Sequence, residues 1–326
     1  MTQGESTHDL AVALEPALRE ACGGSLGDIE WFITAAQRGG AATGASNWTP
    51  ADSDQPQPVI VKLPVGPAEF AWNTALAGPD RAHASAETPP LPRVIASHTE
   101  LGGYDLAWIV VERLGPALAP AELTKDDIHA ALAVVARFHR DAASVRPVGP
   151  RPQPRDWAGL VDRSRRVIRD RLVHIPDDQR WNEALRKLTK LLPTLTRTWD
   201  ARPIETWCHG DVHCANIMRR GPDDHEDLAL IDLGLVHAGS WIEDALYLER
   251  QFWAHPDALH GVKPLQTLAR ARKALGLDTG EDYAKLAHIS RLLVAGCVPA
   301  LYADEGSPAY AKAALGWAEK LVKQLA

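Results

Sequence analysis

The residues best suited to chemistry lie in one short stretch of the sequence. The tripeptide HGD at 209–211 is followed by Asn216, and Asp232 comes directly after the apolar run LALI at 228–231. Phosphoryl transfer to a hydroxyl needs one carboxylate that orients the hydroxyl and accepts its proton, and oxygen ligands that hold Mg²⁺ on the phosphates. Asp211 suits the first role. Asn216 and Asp232 suit the second, since hard cations prefer oxygen donors.

This stretch resembles a known family. HGDVHCAN followed by LALIDLG is similar to the H-G-D-x-x-x-x-N and I-D motifs of the aminoglycoside phosphotransferase and choline kinase family, with Cys214-Ala215 where Pro-Gly is usual. The resemblance implies an α+β, two-lobed protein-kinase-like fold, with a small antiparallel-sheet N-lobe and a mostly helical C-lobe. It also implies ATP and Mg²⁺ as cofactors, and a hydroxyl of a small molecule as the phosphate acceptor.

A second motif downstream supports the resemblance. The segment GSWIEDALYL at 239–248 is similar to the G-D-P-x-x-D-L-A element of the family. Asp244 matches the second Asp of that element, which braces the catalytic loop in the family. Ser240 and Trp241 replace the first Asp and the Pro. The "L-H" helix end of the family is matched only at His139, which we interpret as a structural histidine.

The resemblance implies contacts to the nucleotide phosphates earlier in the chain. Lys62 lies in a predicted strand of β-branched residues, where a buried cation needs an anionic partner, and the family's lysine touches the α- and β-phosphates. Glu69 resembles the family's E-x-x-[FWY] helix pattern and is the expected partner, with Glu87 as the alternative. Residues 39–47 resemble the family's G-G-x-S-N phosphate loop. By this resemblance, backbone amides and the hydroxyl of Ser46 would bind phosphate oxygens.

The segment AWIVVERLG at 107–115 resembles the hinge of the family, an apolar strand that leads to E-R-L-x-G. By this resemblance, adenine is bound by the carbonyl of Val111 and the amide of Arg113. Gly115 comes one residue earlier here than in the family pattern.

Sequence patterns divide the chain near Gly115-Pro116 into an N-terminal nucleotide-binding lobe, 1–114, and a C-terminal catalytic and acceptor-binding lobe, 115–326. Hydrophobic periodicity and propensity predict strands at 29–34, 58–63, 93–97 and 107–114, and helices at 7–21 and 67–77. The residues at 37–58, rich in Gly, Ser, Asp and Pro, predict mostly loop. A β-rich stretch is predicted at 205–236. Helices are predicted on both sides of it, at about 124–143, 157–173, 179–199, 282–303 and 308–325. The first of these helices begins with a capping box.

Composition limits the classes of partner. The 326 residues are 45% hydrophobic and carry a formal charge of −7, which predicts a globular protein without the basic excess typical of nucleic-acid or membrane binding. No secretory signal pattern opens the sequence, and the four cysteines match no metal or disulfide spacing. We therefore expect a cytoplasmic protein that binds neither nucleic acid nor membrane. The sequence leaves its oligomeric state open.

The sequence leaves alternatives for the charge of the acceptor and for the reaction itself. Residues 137–171 hold ten arginines against four aspartates, and the family resemblance implies that this stretch lies beside the acceptor site. This favours a neutral or modestly charged metabolite, such as a sugar or an amino-alcohol, over a polycationic aminoglycoside. A solvated basic helix face is the competing interpretation, and the acidic residues at 223–227 and 243–249 keep a cation site open. A nucleotide-binding pseudokinase acting as an interaction module is the alternative function, although such proteins usually lack the Lys, the catalytic Asp or a metal ligand. Nucleotidyl transfer on the same fold is a further alternative.

Overall fold

The computed structural model describes residues 3–32, 41–79, 88–221, 227–305 and 307–326. The chain forms two compact units. The first comprises Met1–Ala119 and Cys214–Val236, and the second comprises Pro120–His213 and His237–Ala326. Residues 214–236, which the sequence pattern assigned to the C-terminal lobe, thus belong to the first unit.

The first unit is built on a five-stranded antiparallel sheet of strand order β1-β2-β3-β5-β4. Its strands are β1 Glu30–Phe32, β2 Ala42–Trp48, β3 Gln57–Leu63, β4 Val94–His98 and β5 Trp108–Glu112. The β-branched residues of β3 alternate between buried and partly buried positions, as expected for a strand with one face on the core. Helix α1, Gln3–Ala21, packs near β1 and β2, and helix α2, Pro67–Ala77, packs near β4.

Strand β2 corrects the predicted loop over 37–58. Its sequence, ATGASNW, has the composition of a loop. Small side chains are nevertheless required in this strand, because there is little space above it. A Cβ atom at Gly44 would lie 2.4 Å from Cγ2 of Ile29, so a larger residue would clash. The low intrinsic strand propensity is overridden by pairing with both neighbours, β1 and β3.

A short hairpin completes the first unit. It consists of a 3-10 turn at Cys214–Asn216, β7 Ile217–Arg219, β8 Leu228–Leu230 and a second 3-10 turn at Leu233–Leu235. Main-chain bonds attach it to the end of β5: the amide of Gly115 donates to the carbonyl of Arg219 at 2.7 Å. The amide of Leu230 donates to the carbonyl of Pro90 at 2.8 Å.

The second unit is mostly helical. Its helices are α3 Lys125–Val145, α4 Trp157–Arg169, α5 Asp178–Asp200, α6 Ile242–Gln251, α7 Pro264–Ala274, α8 Tyr283–Glu305 and α9 Pro308–Gln324. The predicted capping box of α3 is confirmed, with Thr124 and Asp127 bonded reciprocally. A two-stranded antiparallel sheet pairs β6, Thr206–Cys208, with β9, His237–Gly239.

Helices α4, α5, α8 and α9 enclose the main core of this unit. Helix α8 approaches α5 so closely that a Cβ atom at Gly296 would lie 2.3 Å from a methyl group of Leu188. The segment Tyr283–Tyr302 of α8 is long and apolar enough to span a membrane by length and composition, but 67% of the qualifying window is buried, as in a core helix.

Candidate active site

The loop that carries Asp211 follows β6 and is held by a buried carboxylate. Asp244, in the first turn of α6, accepts hydrogen bonds from the amide of His209 at 2.8 Å and from the amide of Gly210 at 2.9 Å. Two consecutive amides bonded to one carboxylate fix the backbone immediately before Asp211. The bracing role predicted for Asp244 is therefore confirmed.

A chain of buried side chains continues behind Asp244. Nε2 of His139 lies 2.9 Å from its carboxylate, and Nη1 of Arg272 lies 3.1 Å from Nδ1 of His139. Because a guanidinium group can only donate, Nδ1 must accept, so His139 is neutral and donates from Nε2 to Asp244. Burial lowers the pKa of His139, in keeping with this state.

The charge of Asp244 follows from the same contacts. Burial acts to raise its pKa, but the hydrogen bond from His139 and the amide of Gly210 hold the pKa below its ordinary value. Asp244 is therefore an ionised carboxylate, and His139 is the structural histidine that the sequence predicted.

Asp211 is partly buried and has two side-chain partners. Its Oδ2 lies 3.5 Å from Nε2 of His213, and the hydroxyl of Tyr247 is bonded to it. These hydrogen bonds, that of His213 first, lower the pKa of Asp211 to about 2. Burial and the bond to Asp211 raise the pKa of Tyr247, so its hydroxyl remains a donor. Asp211 is thus an ionised acceptor near neutral pH.

The two predicted metal ligands lie at the base of the β7–β8 hairpin in the first unit. Asn216 immediately precedes β7, and its carbonyl accepts from the amide of Ile231 at 3.0 Å, which places Asp232 beside it at the end of β8. Asn216 is buried, whereas Asp232 is exposed and has a left-handed backbone with φ of 64°. Such conformations in non-glycine residues often mark functional sites. The pairing brings a carboxamide and a carboxylate to adjacent positions.

Lys62 and Glu69 form an ion pair. Nζ of Lys62 lies 2.5 Å from Oε1 of Glu69, and both side chains are mostly buried. Strand β3 and helix α2 therefore bring Lys62 and Glu69 together, as expected when Glu69 was preferred to Glu87 as the partner. Glu87 lies outside the described residues. Helix α2 also packs against the 3-10 turn that follows Asp232.

The predicted adenine contacts do not fit the structure. The amide of Arg113 donates to the carbonyl of Pro58 at 3.1 Å. Hydrogen-bonded pairs alternate along an antiparallel ladder, so the pair Val111–Ile60, two residues earlier, also exchanges its main-chain bonds. Both groups are therefore used within the sheet. Gly115 comes one residue earlier than in the family pattern, and this departure was the sequence signal that the adenine contacts could not be assigned by the family register.

Ser46 lies inside strand β2, opposite Val59, and its side chain is buried. The structure therefore places it within the sheet, whereas the sequence expected it in a loop. Gly39 and Gly40, which open the predicted phosphate loop, lie outside the described residues.

The second unit contains a cavity of about 350 Å³ next to the Asp211 loop. Gly210 and Tyr247 both line it, together with Arg151 and Arg155 from the segment before α4. The remaining arginines of the basic helix face point elsewhere: Arg163, Arg165, Arg166 and Arg169 are exposed on α4. For these four, the interpretation of a solvated basic face is the better one.

Comparison with known proteins identifies the family. The model of the phosphotransferase enzyme family, APH, matches residues 46–289, about three quarters of the chain. The chain belongs to this phosphotransferase family. The match spans the ion pair in β3 and α2, the Asp211 loop and the β7–β8 hairpin. No significant match was found among curated proteins.

Solved structures share the fold of this phosphotransferase at low sequence identity. An aminoglycoside phosphotransferase from Alicyclobacillus acidocaldarius has a TM-score of 0.55 at 14% identity, with 92% of each chain covered. A microcompartment-associated aminopropanol kinase has a TM-score of 0.52 at 14% identity, with 91% of each covered. A spectinomycin phosphotransferase, solved with ADP and spectinomycin, has a TM-score of 0.50 at 11% identity, with 92% of each covered. The predicted family and fold class, with its small antiparallel sheet and helical remainder, are confirmed.

Several residues of the site were not predicted. Arg272, His213 and Tyr247 reach His139 or Asp211 through contacts that only the fold creates. A possible signal existed for two of them: His213 lies two residues from Asp211, and Tyr247 lies one helical turn after Asp244.

Proposed function

We propose that this protein is an ATP- and Mg²⁺-dependent kinase that transfers the γ-phosphate of ATP to a hydroxyl group of a small molecule. The observation that carries the proposal is the state of Asp211, an ionised carboxylate on a loop whose backbone is fixed by buried Asp244. Phosphoryl transfer depends mostly on positioning and charge stabilisation. A fixed carboxylate beside an open cavity meets the first need, because it can hold an acceptor hydroxyl in one orientation.

The residues of the β7–β8 hairpin fit a magnesium ion. Asn216 supplies a neutral oxygen and Asp232 a charged one, which is the donor chemistry that Mg²⁺ selects alongside water and phosphate oxygens. The bound ion would neutralise charge on the β- and γ-phosphates. The backbone of Asp232 lies between β8 and the following turn, which places its carboxylate at the end of the hairpin.

The ion pair of Lys62 and Glu69 fits a phosphate contact. A lysine held by a carboxylate on the neighbouring helix presents its ammonium group in a fixed position. For adenine, the amide of Leu114 replaces that of Arg113, since the former has no hydrogen-bond partner among the residues the structure describes.

The fold relatives support a small molecule as acceptor. They include an aminopropanol kinase and a phosphotransferase solved with ADP and spectinomycin. A pseudokinase is less consistent with the structure, because a protein without transfer activity would not need Asp211, Asn216, Asp232 and the Lys62–Glu69 pair together. Cytoplasmic location, as expected from the sequence, is part of this proposal.

The decisive experiment is a screen for ATP consumption with hydroxylated acceptors, with mass spectrometry of the products. A mass increase of one phosphoryl group is expected, whereas a nucleotidyl adduct would show the alternative reaction. Asp211→Ala should leave a folded, ATP-binding protein whose transfer rate falls by about 10²–10⁴-fold. A variant within about tenfold of the parent would contradict the role of Asp211.

A further inference from the structure

We propose that the acceptor carries an anionic group, a carboxylate or a phosphate, in addition to the hydroxyl that is phosphorylated. This inference rests on the proposed function and names the class of its acceptor. It is drawn from the cavity in the second unit that Gly210 and Tyr247 line. Gly210 directly precedes Asp211, and the hydroxyl of Tyr247 is bonded to Asp211. A molecule in this cavity therefore lies beside the carboxylate that would orient its hydroxyl.

Arginine is the dominant charged residue of the cavity. Five arginines line it: Arg151, Arg155, Arg202, Arg250 and Arg291. Two of them are neutralised by carboxylates. Arg202 lies 2.9 Å from Glu243, and Arg291 binds both oxygens of Glu249, at 2.6 and 2.7 Å. These two therefore contribute little net charge to the cavity.

The other three guanidinium groups are held by neutral partners. Arg151 donates to the main-chain carbonyls of residues 200 and 202. Arg250 lies over the ring of Tyr247, 4.0 Å from its centre, and Arg155 lies over that of Trp157, at 5.2 Å. Carbonyls and rings fix the position of a cation but do not cancel its charge. Among the residues described, none of these three arginines has a carboxylate within ion-pair distance.

The carboxylates of the cavity do not balance this charge. Glu243 accepts from Arg202 and from the amide of Ser240, and Asp244 accepts from His139 and the loop amides. Of the three acidic residues that line the cavity, Glu243 is in an ion pair, whereas Asp244 accepts only from neutral donors and Asp200 forms no ion pair in the described part of the chain. Three unneutralised cations against two such anions leave the cavity with one positive charge in excess.

A positive cavity disfavours a polycationic acceptor and favours an anionic one. The guanidinium fork also matches the geometry of carboxylate and phosphate oxygens, which it can bind through two parallel hydrogen bonds. The side chains of Trp157 and Trp253 add apolar wall to the same cavity. The expected acceptor is thus a hydroxy acid or a hydroxylated phosphate ester, and an amine-rich antibiotic is the least expected.

The test uses acceptors that share one carbon skeleton and differ only in charge. Glycerol, 3-amino-1,2-propanediol, glycerate and glycerol 3-phosphate form one set; glucose, glucosamine, glucuronate and glucose 6-phosphate form a second. Binding to the full-length protein with ADP and Mg²⁺ is measured by calorimetry, and transfer from ATP by mass spectrometry. At least one anionic member of a set should bind about tenfold or more tightly than its neutral and amine counterparts, since hydrogen bonds to charged groups are the strong ones.

Three variants assign the effect to the cavity. Arg250→Gln and Arg151→Gln should each reduce the preference for the anionic member by about tenfold, because each removes one unneutralised cation. Arg186→Gln, an exposed residue of α5 outside the cavity, is the matched control and should leave the preference unchanged. The carboxylate and phosphate members show which anion is bound.

The outcomes separate this inference from the proposed function. Phosphorylation of neutral or amine acceptors without any anion preference would overturn the inference and leave the kinase proposal intact. Failure of every anionic member to bind would also overturn it. Anion binding that depends on Arg250 and Arg151, but without phosphate transfer, would support the anion site and count against the kinase proposal.

Discussion

Replacing Asp244 by asparagine tests the bracing of the Asp211 loop. Oδ2 of Asp244 accepts from His139 and from the amide of His209, and Oδ1 accepts from the amide of Gly210. Asparagine has the same shape but only one acceptor atom. Its best orientation keeps the carbonyl at the Oδ2 position, so that its NH₂ group faces the amide of Gly210, donor against donor.

The expected loss of stability follows from these contacts. An unsatisfied amide costs about 1–3 kcal/mol, and the two remaining hydrogen bonds lose their charge assistance, about 1 kcal/mol each. We expect a total loss of about 3–5 kcal/mol in the free energy of unfolding. Displacement of the loop should also reduce the transfer rate of the folded fraction by about 10²-fold.

Urea unfolding and steady-state transfer on the same samples measure both effects. Asp162→Asn is the matched control, because this aspartate is 67% exposed and lies 3.7 Å from Arg165; its expected change is below about 0.5 kcal/mol. A loss below about 1 kcal/mol for Asp244→Asn, with transfer unchanged, would refute the argument that this carboxylate holds the loop.

Three further predictions follow from the structure. Asp232→Asn should raise the Mg²⁺ concentration needed for ATP binding more than Asn216→Ala does, because it removes a charged ligand; equal or reversed shifts in a Mg²⁺ titration would contradict this. Gly44→Ala should cost about 1–3 kcal/mol, since its Cβ would lie 2.4 Å from a side-chain carbon. Gly316→Ala, in α9, should not destabilise the protein, because the added carbon would contact nothing within 4 Å beyond its chain neighbours and the backbone of its own helix; similar urea midpoints for the two variants would contradict the packing argument. Because the folded pKa of Asp211 is about 2, its protonation should not lower kcat/KM between pH 8 and about 4, and a pH profile with a limb near 6 that vanishes in Asp211→Asn would disprove this assignment.

Local signals predicted much of the fold and part of the site. The capping box of α3 depends on residues three apart, so the sequence pattern itself predicts it. The Lys62–Glu69 pair was implied by the family resemblance, and the structure forms it between adjacent elements. Helix α2 was predicted with its observed bounds, and a proline occupies its first position, as is common in helices.

Other features depend on packing that the sequence does not state. The small residues of β2 look like a loop until the position of Ile29 above Gly44 is known. Arg272 and His139 are 133 residues apart, and no pattern in the chain indicates that they meet. The predicted adenine contacts of the hinge were wrong for a different reason. Along a strand, successive main-chain groups point alternately toward one neighbouring strand and away from it, so an error of one residue selects groups that are already bonded within the sheet.

The pKa of Asp211 bears on what this carboxylate would contribute to the proposed reaction. A general base works best when its pKa is near the working pH, and a carboxylate held near 2 by His213 and Tyr247 is a weak base. It therefore gains little by removing a proton early from the acceptor hydroxyl. The same two hydrogen bonds keep it ionised and fixed, which suits a group that orients the hydroxyl and accepts the proton late, when transfer of the phosphoryl group has already made that hydroxyl acidic. The neutral His139, the ionised Asp244 and the fixed loop amides serve that role, because orientation depends on a rigid backbone and not on the basicity of the side chain.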